Sequence, residues 1–244
     1  MAFPHRFHMS LQAKRGFLPS DVREFSAESV EKLRRAAAEV QFLLDRGYPV
    51  KSTTRFVGDH YLFSERQRLA LARVVSPDAQ IRARLAREVH DISGQTLCID
   101  GFNVIIGMEI AFSDSMLFRG MDGTVRDLAG LHGTYRLIPQ TDQAITALLN
   151  TLAAEHPAKV VIYLDQPVSN SGRLRQRIFE LAGDLPFELE VLIENPVDAI
   201  LKTMPLIASA DAIILDECAA WFNLADAILR RHFPDYPLTD IRPR

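Results

Sequence analysis

QTLCIDGFNVII, residues 95–106, holds an apolar run that ends abruptly in Asp100-Gly101-Phe102-Asn103. Residues 95–99 have the length and composition of a buried strand, and the acid marks where it stops. Downstream the same pattern returns. Residues 159–164 form an uninterrupted apolar strand ending in Asp165, residues 187–193 form the next, and a short strand lies near 206–215. Helices are expected at 141–154, capped by Thr141, at 171–182, capped by Ser171, and at 217–232. Apolar strands alternating with helices indicate an α/β fold: a three-layer parallel sheet covered by helices on both faces.

Upstream the pattern is different. Residues 27–45 read as a helix, with Ser26 as cap, Leu33, Ala37, Val40 and Leu44 on one face, and Gly47 as stop. The β-branched and aromatic residues of 48–63 predict a short hairpin turning at Gly58-Asp59. Ser64 then caps a helix that ends before Pro77, and a third helix is expected over 79–89. The helical pattern breaks near 91–95. This divides the chain into a basic, mostly helical region, 1–93, and an α/β domain, 94–244.

Charge follows the same division. Residues 1–93 carry 16 Lys and Arg against 11 Asp and Glu, whereas residues 94–244 carry 12 against 20. The acidic part has the chemistry to hold a metal ion, and the basic part to hold phosphate. Both also read as ordinary solvated surface. At 244 residues, 48% hydrophobic and 24% charged, the composition is that of a folded globular protein. No apolar run is long enough to span a membrane, and the N-terminus lacks the apolar block of an export signal, so a cytoplasmic location is expected. Cys98 and Cys218 lie far apart among apolar residues and read as reduced core thiols. With no Cys-x-x-Cys or His-x-x-x-His pair, any metal would be held by oxygen.

In an open parallel sheet, ligands bind beyond the carboxyl ends of the strands. Asp100, Asp165 and Asp211 follow three apolar stretches, so three acids are expected where three strands converge. Neighbouring carboxylates repel one another unless a cation lies between them, and Mg²⁺ or Mn²⁺ prefers such oxygen ligands. A single strand-end acid is more simply a helix cap. A fourth acid is open among Glu109, Asp122, Asp127, Asp142 and Asp216; Asp122 and Asp127 are favoured because the polar stretch GMDGTVRD can fold over the sheet edge.

CIDGFNVI (98–105), VVIYLDQP (160–167) and IASADAII (207–214) together resemble the NYN group of PIN-like nucleases over residues 95–216. The resemblance implies a PIN-like fold and a metal-dependent ribonuclease. Asp100, Asp165 and Asp211 would be the metal-binding acids, and Asn103 would orient Asp100 or the substrate. The whole chain also resembles an uncharacterised prokaryotic family, a domain of unknown function numbered 434 with a C-terminal partner domain. That likeness rests on RFVGDHYLFSERQRLALAR, IDGFNVI, MDGTVRDLAGLHGTYR and LDQPVSNSGRL, and implies no activity.

RNA is the expected partner, and a homo-oligomer is left open. The backbone amides of Ser169-Asn170-Ser171 at a helix start, with Arg173, make a candidate phosphate cradle, alongside simple capping by Ser171. Arg55, Arg66, Arg68, Arg73, Arg82, Arg84 and Arg87 fall within one short basic stretch; Arg66 and Arg68 are taken as substrate-binding, against the reading that these arginines pair with Glu65, Asp78 and Glu88. Phe56, Tyr61 and Phe63 could stack on bases or form a hairpin core. His132 and Tyr135 are candidates for substrate contact, and Trp221 reads as core within the last helix. Two other functions compete. MDGTVRD resembles the box of haloacid-dehalogenase phosphatases, but Gly120 stands where that box needs its nucleophile. A non-catalytic RNA-binding or regulatory protein could keep the fold and some of the acids.

Overall fold

The computed structural model describes residues 14–130 and 133–243; His132 and residues 1–13 lie outside them. The N-terminal part is built from α1 (Asp21–Glu24), α2 (Ala27–Leu44), α3 (Val50–His60), α4 (Glu65–Val74) and α5 (Asp78–Leu85), followed by strand β1 (Glu88–Val89). Next come β2 (Thr96–Asp100), α6 (Gly101–Phe112), the hairpin β3 (Phe118–Arg119) and β4 (Val125–Arg126), and α7 (Pro139–Glu155). The chain ends with β5 (Lys159–Asp165), α8 (Ser171–Ala182), β6 (Glu188–Glu194), α9 (Val197–Leu201), β7 (Ile207–Ala208), α10 (Ala212–Glu217), β8 (Trp221–Phe222) and α11 (Leu224–His232). No helix among the described residues is long and apolar enough to cross a membrane.

The six-stranded sheet runs in the order β1-β8-β7-β2-β5-β6, and all its pairings are parallel. Alternation along the strands feeds two cores. Leu97, Ile99, Val160, Ile162 and Leu164 pack with α6, α7, α8 and α11, whereas Cys98, Val161 and Tyr163 pack with α9, α10 and Trp221. The expected α/β architecture is therefore present, with a parallel sheet flanked by helices on both faces. A third core joins α2, α3 and α4 to Phe118, Leu128 and Ile241, and β1 lengthens the sheet, so the N-terminal residues are packed onto the rest.

Three local readings are corrected. The hairpin expected over residues 48–63 is the helix α3. Its β-branched residues Thr53, Thr54 and Val57 form a buried helical face, and the Thr54 hydroxyl donates to the Val50 carbonyl one turn back. Gly58 serves helix packing rather than a turn: a Cβ there would lie 2.8 Å from the Arg68 side chain. The helix expected over 217–232 is shortened to α11, with β8 before it, and α10 takes up the end of the stretch near 206–215 that was expected as strand. Trp221 is core as expected, but on a strand, with its Nε1 donating to the Arg84 carbonyl at 2.7 Å. The helix expected over 79–89 stops at Leu85, and Glu88–Val89 pair with β8.

Helix α6 was not anticipated by periodicity, because it is apolar on nearly every side and buried from Gly101 to Ala111 apart from Asn103. Its start is tight: a Cβ on Gly101 would come within 2.6 Å of Leu164, 2.7 Å of Ile162 and 2.8 Å of the Tyr163 carbonyl. Backbone cannot yield there as a flexible side chain could. Gly101→Ala is expected to lower stability by roughly 1–3 kcal/mol in urea unfolding; an unchanged midpoint would show that β5 gives way easily.

Candidate functional site

Strand order sets the geometry. From β2 the chain crosses to β5 and β6 on one side, then returns to β7 and β8 on the other. The order reverses beside β2, which opens a crevice past the carboxyl ends of β2 and β7. Asp100 ends β2, Asp165 ends β5, and Asp211 follows β7 as the cap of α10. The three expected acids thus follow three adjacent strands.

The two sides of the crevice are tied together by hydrogen bonds. Asp100 Oδ2 accepts from the Ser209 hydroxyl at 2.8 Å, and Oδ1 accepts from the Asn103 amide at 3.3 Å. Asn103 Oδ1 accepts from the Ala210 amide at 2.8 Å, so this side chain joins α6 to the loop after β7. Ser209 Oγ also accepts from the Asp211 amide at 3.0 Å. Asp211 Oδ1 accepts from Ile213 at 2.7 Å and from Ile214 at 3.4 Å, capping α10.

Electrostatics links the acids more widely. Burial pushes Asp100 up to about 7; the bonds from Ser209 and Asn103 oppose the rise, and the charges of Asp165 and Asp211 add to it. Asp165 is raised by burial and then by Asp198, with the Val197 amide opposing. Asp198 is raised by burial and then by Asp211, with Lys202 opposing. Asp198 is therefore the acid that sequence reasoning missed. It lies four residues beyond β6, behind Asn195-Pro196 and inside the first turn of α9, so no strand-end pattern marks it. The wider signal was that every crossover at this end of β7, β2, β5 and β6 carries an acid.

The other acids considered are engaged elsewhere. Asp122 is buried in the β3–β4 turn. Its Oδ2 accepts from Arg84 and Arg126 at 2.8 Å each, and its Oδ1 from Thr124. Burial opposes its charge, but Arg126, Thr124 and Arg84 prevail and hold it at about 2. Both oxygens are occupied, so Asp122 stands as a structural ion-pair partner. Asp127 accepts from the Ala129 amide at 2.7 Å and faces Arg73 at 3.6 Å. Burial pushes it up, with Arg73 opposing. Glu109 pairs with Arg15, Asp142 with Arg177, and Asp216 with Arg84.

The basic candidates are similarly committed. Arg66 pairs with the buried Asp21 and donates to the Leu128 carbonyl, and Arg68 donates to Asp59 and to the carbonyls of Phe63 and Arg55. Neither guanidinium is free to serve phosphate as expected from the sequence. Around the cradle, Ser169 Oγ accepts from the Tyr135 amide at 2.9 Å, and Asn170 donates to the Tyr135 carbonyl at 2.6 Å. Ser171 donates to the carbonyls of Asp165 and Val168, closing the turn rather than capping α8 through its own hydroxyl. Arg173 is exposed on the first turn of α8 and has no acidic partner among the described residues. Tyr135 is buried, with its hydroxyl donating to Glu109 at 2.7 Å, which places it in the core.

An all-carboxylate donor set suits a hard divalent cation, and the raised Asp100 is the group such an ion would relieve. Among the described residues, no three His, Cys, Asp or Glu side chains are already arranged to hold an ion. Binding would therefore require the carboxylates to turn toward one another.

The molecule is thus a parallel α/β protein with acids gathered beyond its strand ends. The chain belongs to the family described as a domain of unknown function, DUF5616, which matches residues 89–227. A second family, the protein of unknown function DUF434, matches residues 32–87. The uncharacterized protein MJ0935 of Methanocaldococcus jannaschii is 32% identical over 185 residues, covering 75% of this chain and 88% of its own length. No solved structure matches the chain.

Proposed function

We propose that this chain is a PIN-like nuclease that hydrolyses RNA phosphodiester bonds, with Mg²⁺ or Mn²⁺ held by Asp100, Asp165 and Asp211. The supporting observation is the accumulation of acids around the crevice, where burial and the charges of Asp165 and Asp211 raise Asp100 to about 7. Such crowding is relieved by a proton or by a cation. Asp198 extends the set on the β6 side. Asn103 and Ser209 would fix the orientation of Asp100, and Arg173 would meet the RNA backbone near the end of β5. When bound, the ion would polarise the scissile phosphate and ease deprotonation of the attacking water. The choice of RNA rests on the resemblance to the NYN group.

A second reading, a non-catalytic RNA-binding protein, draws on a specific observation. Asp100 and Asp211 already cap α6 and α10, a structural role that needs no ion. Incubation of the full chain with end-labelled RNA separates the two. Cleavage is expected with Mn²⁺ and none with EDTA, and Asp100→Asn should slow it by about a hundredfold or more. RNA that is bound but never cut in the presence of either ion would sink the nuclease reading.

A further inference from the structure

We propose that the outer face of α2 and α3 is a stacking platform for single-stranded RNA. The proposal rests on RNA being the ligand, as in the reading above, but uses none of the acids. Phe42, Tyr48 and Phe56 are 54%, 58% and 70% exposed, an unusual concentration of open aromatic rings over two packed helices and their connecting turn. Phe42 and Phe56 line one concavity of about 420 Å³. The Arg46 guanidinium already lies over the Phe42 ring, 3.4 Å from its centre.

Cations flank these rings. Lys51 and Arg55 are exposed on α3 beside Phe56 and line the neighbouring hollow of about 690 Å³. Arg46, Lys51 and Arg55 have no acidic partner among the described residues. Among the nearby acids, Glu39 accepts from the Tyr61 hydroxyl, Asp59 from Arg68, and Asp45 from the Asp78 amide, while the exposed Glu65 lines the far side of the hollow, 4.0 Å from Arg68. Aromatic faces interleaved with cations that no acid neutralises, Arg46 being held by the Phe42 carbonyl and ring alone, match a polymer of flat bases on a charged backbone. A second copy of the chain fits less well, because a two-fold contact would set the same three cations against themselves.

The test uses fluorescence anisotropy of the full chain with a labelled single-stranded RNA of roughly ten nucleotides, within the usual range of such sites. EDTA is present throughout, so cleavage cannot interfere. Phe42→Ala and Phe56→Ala are each expected to weaken binding roughly tenfold, a typical loss for one stacked base. Phe56→Tyr should retain it, and the pair Lys51→Ala and Arg55→Ala should flatten the salt dependence. Ring variants that bind like the parent, or a parent dimer that Phe56→Ala dissolves with RNA affinity unchanged, would overturn the platform. The cleavage assay with Mn²⁺ described above, run beside this one, separates the proposal from the nuclease reading. Ring-dependent binding without any cleavage supports the platform alone, whereas ring-independent binding by an active nuclease refutes it.

Discussion

Arg84→Ala is expected to destabilise the protein by about 3–5 kcal/mol, the usual result of removing one member of a buried charge network. Arg84 is 1% exposed yet bonded on every side: Nη1 to Asp122 at 2.8 Å and to Ser76 at 3.0 Å, and Nε to Asp216 at 2.7 Å. Truncation would leave Asp122 buried with Arg126 as its single cation and would open a void between α5, the β3–β4 turn and α10. Arg82→Ala is the control, since Arg82 is 70% exposed and pairs with Asp78 at the surface; its loss should be at most about 0.5 kcal/mol. Urea unfolding of both variants at pH 7 checks the contrast. The pH dependence has a definite sign. Asp122 is held at about 2, below its ordinary 3.8, so its share of the stability is present above 3.8 and disappears as pH falls through 2. Equal effects of the two arginine substitutions would remove the network from any account of stability.

Asp100→Asn should have two opposed effects, loss of cleavage and a gain of stability in the absence of divalent ions. The folded state raises Asp100 from 3.8 to about 7, so it binds a proton more tightly than the unfolded chain does. Stability attributable to this group is therefore greatest at low pH, falls between 3.8 and about 7, and levels off above that. An amide carries no charge to repel Asp165 and Asp211. At pH 8 the variant is expected to be more stable by roughly 1–2 kcal/mol, less than the full shift implies because asparagine replaces one acceptor oxygen with a donor. Thermal melts at pH 5 and pH 8 measure it: the difference between variant and parent should grow with pH. Mn²⁺ should then raise the melting temperature of the parent more than that of the variant. A variant less stable than the parent at pH 8 would mean that capping of α6, rather than crowding, decides the energetics of Asp100.

The sheet was legible because its longer strands are short apolar runs bounded by acids and turns. Asp165 and Asp100 end their strands in register with Glu194 and Tyr163 of the neighbouring strands, close to where the apolar runs stop. The two-residue strands were not legible. Trp221-Phe222 and Glu88-Val89 lie within apolar or helical stretches, and only pairing with distant partners makes them extended. In α3 the burial of one helical face outweighed β-branched propensity. The site divided in a similar way. Acids at strand ends could be read directly, but Asp198 was hidden within a helix. The commitment of Asp122 and Arg66 to buried ion pairs depends on partners, Arg84 and Asp21, that are distant in sequence, which no local pattern reports.

The outermost strand β6 leaves one row of backbone donors and acceptors open, the kind of border along which foreign strands anneal. Its sequence, ELEVLIE, sets Glu188, Glu190 and Glu194 along that border, with Lys159 holding the first two. At neutral pH two molecules aligned on this border would bring like charges face to face. Glutamine at positions 188, 190 and 194 together would remove those charges, so fibrous or ribbon-like clumping of that variant should begin along this border.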